Sequence, residues 1–418
     1  MRDAFVVLGF VLLPLLGLSQ KGYEKDLAVA DRYFELKEYA NAIPFYERAY
    51  ARRKEVHCAR QIALSYNLLN EVDQALIWYR VLIKRFKSKT DYLGYGKVYM
   101  KKKKYTAAQS CFKRYLKIVP GDFEALNCLE GCVLGLKRDK NKVVVSNLRQ
   151  INSPYSDVSA VSYGRDLVFS SSREGVLIKE KFGRTQEPFF NLYISQFRDG
   201  LNWGKPHLFS SEINSRGHEG AATFNATGDT IYFTRCEHKF KTKEGDSDVN
   251  PTKLFRSIKG VIGWSRPYYF MYNDSLNSYA HPCMSKSGDL FFFSSDMEGG
   301  FGGSDIYMCM KIDTVWSEAI NLGPGVNTKG DEFYPFYNND GVLYFSSTGH
   351  PGLGGLDIFK YNLEGRSGQD AENLGLPINS SMDDFSIYFL DEKTGYFTSN
   401  RPKGKGKEDI YSFKILGD

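Results

Sequence analysis

One phrase recurs five times between Asn147 and Asp418: a strand ending in Phe and a hydroxyl residue, a loop, then Asp-Ile-Tyr or a close variant. The clearest copies run from Leu290-Phe291-Phe292-Phe293-Ser294-Ser295 to Gly302-Gly303-Ser304-Asp305-Ile306-Tyr307, and from Leu343-Tyr344-Phe345-Ser346-Ser347 to Gly354-Gly355-Leu356-Asp357-Ile358-Phe359. The others pair Leu167-Val168-Phe169-Ser170-Ser171 with Asn191-Leu192-Tyr193, Ile231-Tyr232-Phe233-Thr234-Arg235 with Lys253-Leu254-Phe255, and Gly395 to Arg401 with Asp409-Ile410-Tyr411. A period of about 50 residues made of short strands predicts small sheets set side by side in a ring, a β-propeller. Five readable copies favour five blades, with six possible.

A second phrase sits between the copies, an aromatic entry and then an Ile-Asn-Ser type turn. It appears at Ile213-Asn214-Ser215 after Trp203, at Val326-Asn327-Thr328 after Trp316, and at Ile378-Asn379-Ser380. The Gly-Asp and Asp-Gly pairs (Gly228-Asp229, Gly288-Asp289, Asp340-Gly341) suit tight hairpins between first and second strands. The hydroxyl after Phe and the Asp before Ile-Tyr can satisfy backbone groups where strands meet loops, and are expected to tie the two ends of one loop together. The glycine loops Gly299–Gly303 and Gly349–Gly355 open into strands, so they read as turns rather than as phosphate cradles, which open into helices.

From Lys21 to about Leu136 the period changes to 33 residues and the pattern to a helical one. Ala30 and Tyr33, then Ala42, Tyr46 and Ala49, mark a first unit. Ala63, Tyr66, Ala75, Tyr79 and Leu82 mark a second, and Gly96, Tyr99, Ala108, Phe112 and Tyr115 a third. Small residues recur where paired helices press together, and aromatics fill the gaps beside them. A further helix, Phe123 to Leu136, is expected to cover the end of the stack.

The chain starts with Arg2, an apolar run from Phe5 to Leu18, and small residues at Gly17-Leu18-Ser19-Gln20, the pattern of a cleavable signal peptide over 1–20. No Cys closes that run, so a lipoprotein anchor is not expected, and no other stretch is long and apolar enough for a membrane span. The net charge of +6 on 55 basic and 49 acidic residues is too mild, and too scattered, to call for nucleic acid. Seven cysteines and six histidines lack the pairing of a metal site and read as buried thiols and isolated rings, so no metal and no cofactor is expected.

The helical spacing resembles the tetratricopeptide repeat, and the strand phrase resembles the WD40-like propeller repeat of the TolB type. The order signal peptide, helical repeats, propeller resembles the outer-membrane-associated periplasmic proteins of Bacteroidota, among them the PorE-type proteins of type IX secretion. Those proteins continue into an OmpA-like domain, which is not expected here. The resemblance implies an α + β multidomain chain: signal peptide 1–20, tetratricopeptide α-solenoid 21–136, linker 137–146 and β-propeller 147–418. It implies a non-enzymatic scaffold in the periplasm whose partners are periplasmic or outer-membrane proteins, with peptidoglycan reached only through them.

Two candidate sites follow. The first helices of the three helical units would offer a partner groove carrying Asp31, Phe34, Arg60, Asn67, Lys97 and Met100; a plain spacer is the other reading. Counting back from each blade's Phe to the start of its innermost strand gives Asp157, Glu219, His281, Asp331-Glu332 and Asp383-Asp384. These would meet at one mouth of the central channel, either as an acidic funnel for a cation or basic segment, or as turn caps. No Gly-x-Ser-x-Gly elbow and no paired His and Cys is present, so catalysis is not expected. A channel that senses or processes a glycan or peptide is the alternative function.

Overall fold

The computed structural model describes residues 6–137, 142–174, 187–199, 202–236, 251–338, 340–365 and 370–416. The chain divides into two compact units between Leu129 and Glu130. The described residues form seven helices followed by a five-bladed β-propeller.

The helices are α1 (Val6–Glu35), α2 (Tyr39–Arg52), α3 (Val56–Leu68), α4 (Val72–Lys84), α5 (Tyr92–Lys101), α6 (Tyr105–Leu116) and α7 (Phe123–Leu136). The first six pack as hairpins, α1 on α2, α3 on α4 and α5 on α6. The 33-residue period is written into the backbone. Lys37, Asn70 and Lys103 take left-handed φ values of 59°, 58° and 57° at the turn within each hairpin. The following amides of Glu38, Glu71 and Lys104 each bond the carbonyl of Tyr33, Tyr66 and Tyr99 at 2.9 Å. That is the glycine-style helix stop made without glycine, and it fixes the angle at which each pair turns back. Behind it Ala42, Ala75 and Ala108 are wholly buried, as are Tyr46, Tyr79 and Phe112 to within 1%. Gly96 stands where the first two units have Ala30 and Ala63, and a Cβ there would meet the Phe112 ring at 2.4 Å.

From Val6 onward the apolar run read as a signal peptide falls within α1, while Arg2 and Phe5 lie outside the described residues. Among the described residues no helix is long and apolar enough to cross a membrane.

The propeller starts with β1 (Val143–Asn147). Blade 1 is β2 (Asp157–Tyr163), β3 (Asp166–Ser171), β4 (Asn191–Ser195) and β5 (His207–Leu208). Blade 2 is β6 (His218–Phe224), β7 (Thr230–Cys236), β8 (Lys253–Ile258) and β9 (Tyr268–Tyr269). Blade 3 is β10 (Tyr279–Met284), β11 (Leu290–Ser295), β12 (Asp305–Ile312) and β13 (Val315–Trp316), with β14 (Ile320–Asn321) also on β12. Blade 4 is β15 (Glu332–Tyr337), β16 (Val342–Ser347), β17 (Asp357–Asn362) and β18 (Glu372–Asn373). Blade 5 is β19 (Asp384–Phe389), β20 (Thr394–Ser399) and β21 (Asp409–Ile415), completed by β1. The innermost strands β2, β6, β10, β15 and β19 touch in a closed circle. Val143–Asn147, most of which was read as linker, is therefore a blade strand: Val143 pairs with Ile415 and Asn147 with Tyr411, which shuts the ring.

The recurring phrases now have physical reasons. The Phe of the first phrase and the aromatic of its Asp-Ile-Tyr half lie directly opposite on neighbouring strands, and their rings stack in every blade. Phe169–Tyr193, Phe233–Phe255, Phe293–Tyr307, Phe345–Phe359 and Phe397–Tyr411 have centroids 6.4, 6.0, 5.9, 6.0 and 5.7 Å apart. Such cross-strand aromatic pairs stabilise a sheet beyond their buried area. The residue between the Asp and that aromatic is gripped by an asparagine. Ile358 donates its N–H to Asn379 Oδ1 and accepts from Asn379 Nδ2, both at 2.8 Å. Asn152, Asn214, Asn273 and Asn327 hold Ile410, Leu192, Leu254 and Ile306 the same way. A side-chain amide thus takes the place of a neighbouring strand where the fourth strand is too short to supply one.

The loop aspartates face their own glycine loops. Asp305 accepts from the Phe301 amide at 2.6 Å, Asp357 from Gly354 at 2.9 Å and Asp409 from Gly406 at 2.9 Å. The hydroxyl after Phe does not join them, contrary to the expectation of a tie across one loop. In three blades it reaches the next blade: Thr234 accepts from the His281 amide at 2.9 Å, Ser346 from Ser386 at 3.3 Å and Thr398 from Ser159 at 3.0 Å, while the Ser170 and Ser294 hydroxyls have no hydrogen-bond partner among the described residues.

Candidate functional site

Each innermost strand carries a bulge at the same place, two residues past the acid or tyrosine at its head. The bulged residues are Ser159, Ala221, His281, Tyr334 and Ser386, and all five line the central channel. Four are non-glycine residues in the left-handed region, with φ of 57° (Ser159), 55° (His281), 52° (Tyr334) and 54° (Ser386). Recurrence in four blades marks this strain as part of the ring's construction, and at Ser159, His281 and Ser386 it is held by the inter-blade bonds just described.

What does not recur is the side chain. Blades 1, 2 and 5 place Ser, Ala and Ser here, while blades 3 and 4 place His281 and Tyr334. The two rings lie 3.8 Å apart at 33°, and Tyr334 continues onto Phe385 at 5.1 Å. The imidazole is only partly exposed; burial pushes it down to about 3, so it is neutral at physiological pH. Its Nδ1 is buried with no hydrogen-bond partner. Burial likewise raises the Tyr334 phenol above its ordinary range. Above this aromatic throat the channel opens into a cavity of 1580 Å³. Phe336 and Tyr388 line its wall, and Asp229, Lys286, Asp340 and Lys393 on the first hairpins of the blades line its mouth. The site offers stacking surfaces, neutral hydrogen-bonding atoms and charges of both signs, which suits a partly polar, elongated ligand.

The sequence-predicted acids do not assemble into a rim. Asp157, Glu219, Glu332 and Asp384 are fully buried at the heads of innermost strands, the equivalent place in blade 3 being Tyr279 rather than His281. Asp157, Glu219 and Asp384 are ion-paired with Arg173, Arg235 and Arg401 at 2.5, 3.0 and 2.5 Å. Each arginine also bonds the carbonyl of Ile151, Ile213 or Ile378 and lies over the stacked aromatic pair of its blade. In blade 4, His350 takes that role, bonding the Val326 carbonyl at 2.8 Å beside Phe345 and Phe359. Asp331 and Asp383 accept the backbone amides of Ser304 and Leu356, each at 3.1 Å, so they fasten turns.

Glu332 has no arginine partner among the described residues. It accepts from the Thr328 amide and hydroxyl at 2.8 and 2.7 Å and from the Ser347 hydroxyl at 2.6 Å. Burial pushes its carboxyl up from 4.5 to about 7, and those donors only partly oppose the rise. The folded chain therefore holds this proton more tightly than the unfolded chain does. The resulting stability is fully present below about pH 4.5 and is lost as pH rises through about 7. Replacing Glu332 with Gln should flatten the fall in urea midpoint between pH 5 and pH 7.5, by on the order of 2 kcal/mol of unfolding free energy.

The six helical residues do fall on successive odd-numbered helices, where they meet other parts of the helical array. Asp31 accepts from Tyr46 at 2.6 Å and meets His57 at 3.0 Å. Phe34 packs on Tyr39 and Tyr46. Arg60 makes a two-pronged pair with Asp91 at 2.8 and 3.0 Å, and the Asn67 carbonyl accepts from Lys101 at 2.8 Å. Lys97 pairs with Glu124, and Met100 is buried.

No protein-family model matches the chain, and no curated protein does. Solved propellers are similar to it in fold. A putative TolB from Agrobacterium tumefaciens is 14% identical, with a TM-score of 0.36, over 66% of this chain and 98% of that one. An arabinanase from Bacillus subtilis is 12% identical, with a TM-score of 0.40, over 64% and 96%. A puromycin-hydrolysing peptidase from Mycobacterium tuberculosis is 10% identical, with a TM-score of 0.34, over 58% of this chain and only 33% of that one. The expectation of a non-enzymatic chain is corrected: the solved structures similar to it include enzymes, the arabinanase among them. The likeness concerns fold alone and does not make this chain catalytic.

Proposed function

We propose that the chain is an exported scaffold of the cell envelope that docks partner proteins through two repeat arrays. Helices α1 to α6 are read as three tetratricopeptide units, a reading supported by the left-handed turn residues at 37, 70 and 103 and by the small residues buried in register. Periplasmic residence at the outer membrane, a place in a type IX secretion or gliding-type assembly and an origin in Bacteroidota rest on the order of segments alone.

The observation that carries the binding role is the throat. At the bulge of the innermost strands blades 1, 2 and 5 carry small residues, and the departure from that repetition is the stacked pair His281 and Tyr334, which lines an open channel and continues onto Phe385. This favours an extended peptide segment of a partner: a side chain inserts against the rings, and its backbone or polar atoms meet the mouth residues. Cross-linking in the native envelope tests the reading. Tyr334→Ala should remove one defined partner, and charge reversal at Lys97 and Arg60 a second or the same one. A cross-linking profile identical to wild type in both variants, with folding intact, would overturn it.

A further inference from the structure

Two hairpins on one face of the propeller depart from the polar pattern of a protein surface. Third and fourth strands of a blade are joined on the same face as first and second, since neighbours run antiparallel. In blade 2 that connection is a tight turn in which the Gly260 amide bonds the Gly263 carbonyl at 2.7 Å, and Lys259 pairs with Trp264. The two residues between the glycines are Val261 and Ile262, with relative exposures of 107% and 103%. In blade 3 the equivalent turn carries Ile312 at 61% and Val315 at 54%. The blade 2 hairpin is rigidly mounted: Trp264 packs among Tyr163, Phe209 and Phe224, and Lys259 donates to the Tyr163 hydroxyl at 2.6 Å. Tyr268 and Tyr269 stand behind it, about half exposed.

We infer that this hairpin is a membrane prong: Val261 and Ile262 enter the headgroup–acyl boundary of an anionic bilayer. Two features choose lipid over protein. The tip is convex and small, far short of the roughly 800 Å² that each side of a stable protein interface buries, whereas a bilayer needs no matching pocket. The charge carried by the hairpin and its flanks also has one sign. Residues 251–273 contain Lys253, Arg256, Lys259 and Arg266 and no Asp or Glu. Lys253 is spent on the carbonyls of Asp274 and Asn277, and Arg256 lies further down the hairpin over Tyr268 and near Asp229, which leaves Lys259 and Arg266 as the cations nearest the tip in the chain. Aliphatic tip, tyrosines behind and cations at headgroup depth is the layering a bilayer surface favours.

The test is co-sedimentation of the full chain with vesicles of phosphatidylcholine alone or mixed with phosphatidylglycerol. The apolar run from Phe5 to Leu18 is common to all variants, so differences between variants are read. Binding to the anionic vesicles should exceed binding to the neutral ones, and Val261→Ser with Ile262→Ser should weaken it about tenfold. Ile262→Trp should give emission that lipids brominated in their acyl chains quench. Equal vesicle binding by the serine double variant, or no quenching of the new tryptophan, overturns the inference. So does a wild-type dimer that the double variant dissociates, because the tip would then be covered by a second copy.

Discussion

Replacing Asn379 with leucine is expected to lower the unfolding free energy of the propeller by about 3 kcal/mol, read as a fall in urea midpoint. Asn379 is fully buried and serves both backbone groups of Ile358. Leu374 still donates to the Ile358 carbonyl at 3.1 Å, so the lasting loss is at the amide, which is left without a partner. An orphaned buried donor costs about 1–3 kcal/mol, and the second bond adds about 1. Asn379→Asp separates this account from a packing account. It keeps the acceptor and the volume, yet cannot donate and introduces a buried charge, so it should be no better than leucine. A neutral result for either variant would mean that the side-chain amide is not standing in for a strand.

Arg401→Met is expected to cost about 3–5 kcal/mol, because it strands the Asp384 carboxylate where no solvent reaches. The arginine also bonds Ser399 at 2.9 Å and the carbonyls of Pro377 and Ile378 at 3.0 and 2.6 Å, so it joins the start of blade 5 to the connection that enters it. Burial already raises the Asp384 carboxyl despite the guanidinium. Without Arg401 the acid should protonate at higher pH still, and the loss should shrink as pH falls. Combining Arg401→Met with Asp384→Asn should recover much of the stability, and the double-mutant cycle gives the coupling directly. A loss that stays constant from pH 4.5 to pH 8 would show that the missing contacts, and not the stranded charge, set the cost.

The repeats themselves were plain in the sequence because each phrase is a packing instruction. Phe397 and Tyr411 must oppose one another, and only a fixed spacing allows it. The closing strand was not legible. Val143-Val144-Val145-Ser146-Asn147 follows the charged run Lys137 to Lys142, and the last strand of the other blades is two residues long, so no phrase announces it. One of the five asparagine grips was also hidden: Asn273 sits in Tyr-Asn-Asp, whereas Asn152 carries the same legible phrase as the others, Ile151-Asn152-Ser153. The acids were found, but their charge was misread. Their arginines lie 16 or 17 positions downstream, across a hairpin, a distance at which sequence alone shows no pairing. The throat was half found. His281 stood out as the odd residue in a row of carboxylates, but it belongs two positions deeper, where Tyr334 is its neighbour. A bulge that rotates one side chain toward the axis leaves no trace in composition.

The pairing of β1 with β21 has a consequence for how the molecule is made. Asn147 leaves the ribosome 262 positions before Asp409, the residue its side chain will bond. Until the final blade emerges, the earliest strand has no companion, and an unpaired edge of Val-Val-Val invites the wrong one. The latch therefore works as a check on completeness: a product cut short before β21 exposes its own sticky beginning to whatever surveys nascent chains.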